Sequence, residues 1–182
     1  HQKVKSYYIY LFLLAATVVG ALLSADLILF YLFWEAMLIP MAFLIGVFGS
    51  ERRIQAAMKF FLYTMVGGLA MLGAIIGTGY VLKGELGYLS FAYENFLRFS
   101  PQHPWGPVFF VLMGLAFFIK VPLFPFYTWL PDAHTEAPAG GSVILAGVLL
   151  KLGIYGLVRF ALPIYSAPYQ ASAPLWLGLA VI

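Results

Sequence analysis

Cysteine is absent from the sequence, which excludes disulfides, iron–sulfur clusters and thiolate metal sites on this chain and leaves its redox compartment unreadable. Charge is scarce as well: 9% of the residues are Asp, Glu, Lys or Arg, against 63% hydrophobic, and the mean hydropathy is +0.95. A soluble domain carries roughly 25% charged residues. This chain cannot clothe a water-facing globule of its size, so its solvent is lipid. The net charge of +3 is thinly spread, and without a basic stripe there is no case for a nucleic-acid partner. The short alternating segments of a transmembrane β-barrel are missing too. The chain opens on His1, not Met, and its last apolar run, from Leu175 to Ile182, is too short to cross a bilayer. Both ends therefore read as internal to a longer subunit, and a signal or transit peptide cannot be judged.

What is present is a series of long apolar runs, which predicts an all-α polytopic membrane protein. A single transmembrane domain fills 1–182, with spans at about 7–23, 27–48, 54–82, 108–130 and 139–162 and the start of another at 175. Ser24-Ala25-Asp26 and Gly49 to Arg53 read as tight turns. A longer polar connection from Lys83 to Pro107 carries Glu85, Glu94, Arg98 and His103. Pro131 to Pro138 reads as a polar link and Pro163 to Pro174 as a loop. Alternate crossings put Lys3, Lys5, Arg52 and Arg53 on one side and Lys83, Arg98 and Arg159 on the other. That bias favours a cytoplasmic start. In the third span Ala70, Gly73, Ala74 and Gly77 form overlapping small-xxx-small pairs, suited to close helix packing.

Three charges lie deep inside these runs: Glu35, Lys120 and Lys151, the last near the middle of its span. Each costs about 2.5–3.5 kcal/mol at the bilayer centre, so all three unpaired in lipid would cost on the order of 8–10 kcal/mol. A chain retains them only where they meet one another or a hydrated interior. A buried ion pair that merely fixes packing would account for Glu35 with one lysine and leave the second lysine without a partner. Lys59 lies closer to Arg52 and Arg53. It is expected to snorkel to the interface, with an accessory role at a proton entrance as the alternative.

Lys120 is followed by Val121-Pro122-Leu123-Phe124-Pro125. Each proline removes an N–H and clashes with the turn before it. Pro122 and Pro125 should therefore break the helix, freeing the carbonyls of Phe118 and Val121. Discontinuous helices at membrane depth mark ion sites in transporters. Lys120 would then stand at the negative end of the first half-helix, which favours an ammonium.

Four segments carry a resemblance. Phe-Trp-Glu-Ala-Met-Leu-Ile-Pro around Glu35, Ile-Lys-Val-Pro-Leu-Phe-Pro-Phe around Lys120, Trp-Leu-Pro-Asp-Ala-His-Thr-Glu-Ala-Pro, and Gly-Ser-Val-Ile-Leu-Ala-Gly-Val-Leu-Leu-Lys-Leu-Gly-Ile-Tyr-Gly around Lys151 occur in this order. Together they resemble the antiporter-like membrane subunits of respiratory complex I, the proton-pumping NADH:quinone oxidoreductase, and within it the chain M type (mitochondrial subunit 4). The resemblance implies a larger subunit built from inverted five-helix repeats, of which the first, plus the start of the next helix, lies here. It implies that Glu35 and Lys120 are a coupled pair and that Lys151 is the central lysine receiving the proton. It also implies a multi-pass protein of the bacterial inner membrane with neighbouring antiporter-like subunits as partners. NADH, FMN, iron–sulfur clusters and quinone are expected on other subunits, with no cofactor, metal or redox chemistry on this chain.

Asp132, His134 and Glu136 in the polar link read as accessory residues near a half-channel entrance, or as loop and capping groups, with Asp132 and Thr135 serving the first turn of the next helix. The expected mechanism brings a proton to Lys120 through a hydrated half-channel, with Glu35 tuning its release towards Lys151. Three alternatives stay open. One is a subunit of a multisubunit Na⁺/H⁺ antiporter or membrane-bound hydrogenase. Another is a retinal pump, against which two buried lysines and the helix break argue. The third is a structural scaffold.

Overall fold

The computed structural model describes residues 2–181. Helix α1 (Gln2–Leu23) ends at a corner where Asp26 caps the next helix, its Oδ1 accepting from the N–H groups of Ile28 (2.9 Å) and Leu29 (3.0 Å). That satisfies two donors a helix start leaves free. The second run divides into α2 (Leu27–Ala36) and α3 (Leu38–Phe48), interrupted at Met37. Pro40 explains the interruption, since it cannot donate to the carbonyl of Ala36. Glu35 therefore sits in the last turn of α2, beside a loosened joint.

Helix α4 (Arg53–Leu86) is the long central element and ends on Gly87, whose φ of 78° suits a residue without Cβ. At 1.5 Å per residue a helix this long rises about 50 Å, more than the roughly 30 Å hydrocarbon core. The start of the connection expected from Lys83 onward is thus helical. After it, α5 (Tyr93–Phe96) returns to the α1–α2 corner, where Leu27 N–H donates to Phe91 and Tyr93 N–H to Ala25, both at 2.9 Å.

Helix α6 (Gly106–Lys120) stops at Lys120, short of the span expected to reach 130. A 3₁₀ turn (Phe126–Thr128) leads into α7 (Trp129–Glu136). The segment expected as a polar link is therefore mostly helix. Pro131 stands in its first turn, where the missing N–H has no helical partner to lose. Helix α8 (Ala139–Ile164) carries two π-helical stretches, Leu145–Leu149 and Leu157–Ala161, on either side of Lys151.

Helix α9 (Ser166–Val181) begins well before the expected 175, so the expected loop 163–174 is a correction. Pro174 lies inside this helix, and two earlier prolines are accommodated for identifiable reasons. Pro163 follows a π turn, and the Arg159 carbonyl it leaves unmatched accepts the Tyr93 hydroxyl at 2.7 Å. Pro168 falls in the first turn of α9.

Among the described residues, four helical runs, Lys3–Leu23, Leu27–Phe48, Arg53–Leu86 and Ala139–Ile164, are long and apolar enough to cross a membrane, and Gly106–Lys120 is a shorter apolar helix. Helix α4 lies at the centre, against α6 above all and also α3, α7 and α2. The small-residue pattern holds at Ala74, which is fully buried, and at Gly77, but not at Gly73. Gly73 faces open space, whereas Gly67 meets Ala116 and Ile119 of α6 and Gly77 abuts Phe109. The outward surface is apolar, with Phe12, Leu23, Tyr80 and Val143 among its exposed side chains, as a lipid-facing surface requires.

Candidate functional site: a buried lysine at a helix break

Three elements converge on Lys120. It closes α6 and is 1% exposed. Fifteen residues of helix place it about 22 Å along the axis from Gly106, deep within any bilayer that covers α6. Helix α2 brings Glu35 to the same region, and Glu35 is the charge that acts on Lys120. The two do not touch. Among the described residues, Glu35 Oε1 and Lys120 Nζ are buried side-chain atoms without a hydrogen-bond partner. The ammonium instead lies 4.8 Å from the centroid of the Trp34 ring and 6.0 Å from that of Phe60.

The carboxylate owes its place to Gly68. A Cβ on that residue would overlap Glu35 Oε1. Gly67 and Gly68 thus do two jobs on adjacent faces of α4: one lets α6 approach, the other leaves room for a carboxyl group.

The break is held by specific partners. Val121 N–H still donates to Phe117 at 2.8 Å, and the Phe118 carbonyl freed by Pro122 accepts from Leu123 N–H at 3.0 Å. The Ile119 carbonyl accepts the indole N–H of the buried Trp129 at 2.9 Å. Helix α8 closes the other side, where Gly153 and Gly156 allow it to lie against the Phe117 carbonyl and ring and against Val121.

Helix α7 covers the break from the Arg52 end through polar contacts. Lys59 reaches a polar partner at this end of α4, donating to Asp132 at 2.8 Å. This hydrogen bond holds the Asp132 carboxyl below the usual carboxylate range. Glu136, 6% exposed, accepts from the Arg52 N–H at 3.0 Å. It caps α4 from a distant part of the chain, while Asp132, expected to serve the first turn of the next helix, accepts from Lys59 instead. His134 Nδ1 bonds Ser142 Oγ of α8. Thr135 makes no cap there, and α8 starts from Pro138 without a side-chain cap. Arg52, Gln55, Asp132 and Glu136 line a cavity of about 30 Å³, room for about one water.

Lys151 is not brought to this cluster. It is exposed on α8, and its Nζ donates to the Ala146 carbonyl at 3.4 Å, within the first π-helical stretch. Trp34, Phe60, Trp129 and Gly68 were not identified from sequence. Aromatic residues and glycines at helical spacing usually signify packing, and only their position against a charge marks these. The one available hint was local: Trp34 directly precedes Glu35.

Comparison with known proteins agrees with this architecture. The family model described as NADH:quinone oxidoreductase/Mrp antiporter, TM matches residues 24–182. NADH-quinone oxidoreductase subunit M of Rickettsia felis is 44% identical over 182 residues, covering 100% of this chain and 36% of that protein. The subunit M of Escherichia coli (strain K12) is 44% identical over 171 residues, covering 89% and 33%. The chain thus spans about a third of the length of the curated relatives it matches. Respiratory complex I from Thermus thermophilus contains a chain with TM-score 0.77 and 33% identity, covering 96% of this chain and 40% of that one. The Mrp complex of Dietzia sp. gives TM-score 0.71 and 30% identity, covering 90% and 18%. With the family match running from the corner before α2 to the last helix, the chain belongs to the NADH:quinone oxidoreductase/Mrp antiporter transmembrane family.

Proposed function

We propose that this chain is part of a proton-translocating membrane subunit of an NADH:quinone oxidoreductase in the bacterial inner membrane. It works beside other antiporter-like subunits and carries no redox chemistry itself; NADH, FMN, iron–sulfur clusters and quinone belong to other subunits of the assembly. The observation that carries this reading is Lys120: a fully buried amine at a helix break, facing a carboxylate it does not touch. An ionisable residue in such a place is a functional site by default.

Protons enter from the Arg52 end, where Asp132, Glu136 and Gln55 line the small polar cavity, with Lys59, His134, Asp132 and Glu136 as accessory groups. Phe60 and Trp129, their ring centroids 5.4 Å apart, lie between that end and the lysine. Passage requires them to part or water to slip beside them. Glu35 stabilises the ammonium when ionised and releases its hold when neutral or displaced. The proton then leaves for Lys151, whose exposed position on α8 suits delivery to the rest of a longer subunit. That last transfer needs water or movement of the Lys151 side chain.

The test is Lys120→Ala and Glu35→Ala in the whole subunit, with protons pumped per NADH oxidised as the readout. Loss of pumping with the complex still assembled is expected; unchanged pumping sinks the assignment. The likeness to the Mrp complex supports a second reading, a Na⁺/H⁺ antiporter subunit. It requires transport that depends on a Na⁺ gradient and is independent of NADH.

A further inference from the structure

We propose that the indole face of Trp34, backed by Phe60, is the seat of the Lys120 ammonium, a positioning surface that keeps the charged amine beside Glu35 without committing it to an ion pair. The inference rests on the reading of Lys120 as a proton carrier and adds the group that holds it.

The geometry is that of a cation over aromatic faces. Nζ lies 4.8 Å from the Trp34 centroid and 6.0 Å from that of Phe60, within the distance at which a ring quadrupole attracts a cation. No hydrogen bond competes for it. Neither ring is free to swing. Trp34 is 1% exposed and wedged by Phe30 at 5.5 Å and by the edge of Phe117 at 5.4 Å, while Phe60 is 0% exposed and backed by Trp129 at 5.4 Å. Trp34 and Glu35 are consecutive on α2, so their side chains leave the helix about 100° apart. One helix thereby offers the ammonium two different partners.

The neighbourhood leaves little else for that charge. Helix α2 presents Glu35 and, one turn earlier, Tyr31, on which the Glu35 charge acts. Helix α4 presents the Phe60 ring, with Lys59 beside it occupied by Asp132. From α7 comes the Trp129 indole, already donating to Ile119. On α8, Gly153 and Gly156 face the end of α6, and Lys151 is exposed. Against a carboxylate alone, the amine would lose that partner's stabilisation whenever Glu35 took a proton. The ring attraction does not depend on that proton, so Lys120 can stay charged in both states of Glu35. A neutral amine gains almost nothing from the quadrupole, so the surface distinguishes loaded from unloaded lysine.

The test replaces Trp34 site-specifically with mono-, di- and tetrafluorinated tryptophan in the full subunit within its assembled complex. Fluorine drains the ring quadrupole while nearly preserving shape. Protons pumped per NADH oxidised are followed against pH. The alkaline limb should move stepwise to lower pH with each level of fluorination, by about 1.5 pH units for loss of the whole contact. A profile that stays in place across the series overturns the proposal, because packing alone is almost unchanged by fluorine. Trp34→Phe should give an intermediate shift and Trp34→Leu the full one. If Lys120→Ala pumps normally, the carrier assignment itself has failed. If Lys120→Ala abolishes pumping while fluorination shifts nothing, only the role of Trp34 has.

Discussion

Gly68→Ala is the most economical way to disturb the carboxylate without touching a charged residue. A methyl group there overlaps Glu35 Oε1, the far end of a side chain that can rotate, so the carboxylate moves and the helices stay. For unit charges just beyond contact at an effective dielectric near 20, a few ångströms of further separation weaken the interaction by about 1 kcal/mol, roughly fivefold in the equilibrium it controls. Helix propensity acts the other way, since Ala is about 1 kcal/mol better than Gly in a helix interior. Stability should therefore change little, or rise, while pumping falls. Gly73→Ala on the same helix is the matched control: nothing lies within 4 Å of its Cβ position, so it should gain helix propensity and leave pumping unaltered. Pumping per NADH oxidised and thermal unfolding of the purified complex read the two effects separately. If Gly68→Ala and Gly73→Ala pump alike, the Glu35 carboxylate does not need the place described here, and its coupling to Lys120 is not what matters.

Two further outcomes follow from the contacts around the break. Asp132 has its carboxyl held below the ordinary range by Lys59, so its contribution to seating α7 is present above the usual carboxylate value and lost as pH falls through the depressed one. Asp132→Asn should cost about 0.2–1 kcal/mol at neutral pH, as suits so exposed a pair, and the thermal stabilities of variant and parent should converge once pH has fallen below the depressed value; a difference that persists in stronger acid would refute the ion-pair account. Trp129→Phe removes the donor to the Ile119 carbonyl and should cost about 1–3 kcal/mol for the acceptor left unpaired, read as a lower unfolding temperature; an unchanged temperature would show that the carbonyl has another partner.

The all-helical class, the buried charges and the position of the break were legible in the sequence because each follows from a strong local rule. Lipid demands long apolar helices, charges in them are costly, and paired prolines cannot continue a helix. What was not legible depended on contacts between distant residues. Glu136 caps α4 at Arg52 across 84 positions of chain, and no local pattern announces that. Pro163 reads as a helix breaker until Tyr93 is seen to take up the Arg159 carbonyl. Gly68 and Gly73 look equivalent in sequence, yet one makes room for a carboxylate and the other faces outward. Lys151 lies mid-span by count, but only the structure shows which way its helix turns it.

The separation of Lys120 from Glu35 is itself informative about what such a site can do. An ammonium and a carboxylate in direct contact in a low-dielectric interior attract strongly, and breaking such a pair typically costs 3–5 kcal/mol. That depth suits a structural clamp and would slow any step that must empty the lysine. Here the amine has no hydrogen bond at all. It is steadied by an aromatic face and by a helix C-terminus, each contributing on the order of 1 kcal/mol. Glu35 acts on it from beyond contact. In the proposed mechanism the charged lysine is held against the cost of its burial by several small terms, any of which a modest side-chain movement can change. Small, separable terms are what the proposed carrier, which must both accept and release a proton, requires, and Gly68 fixes one of them by setting where the carboxylate rests.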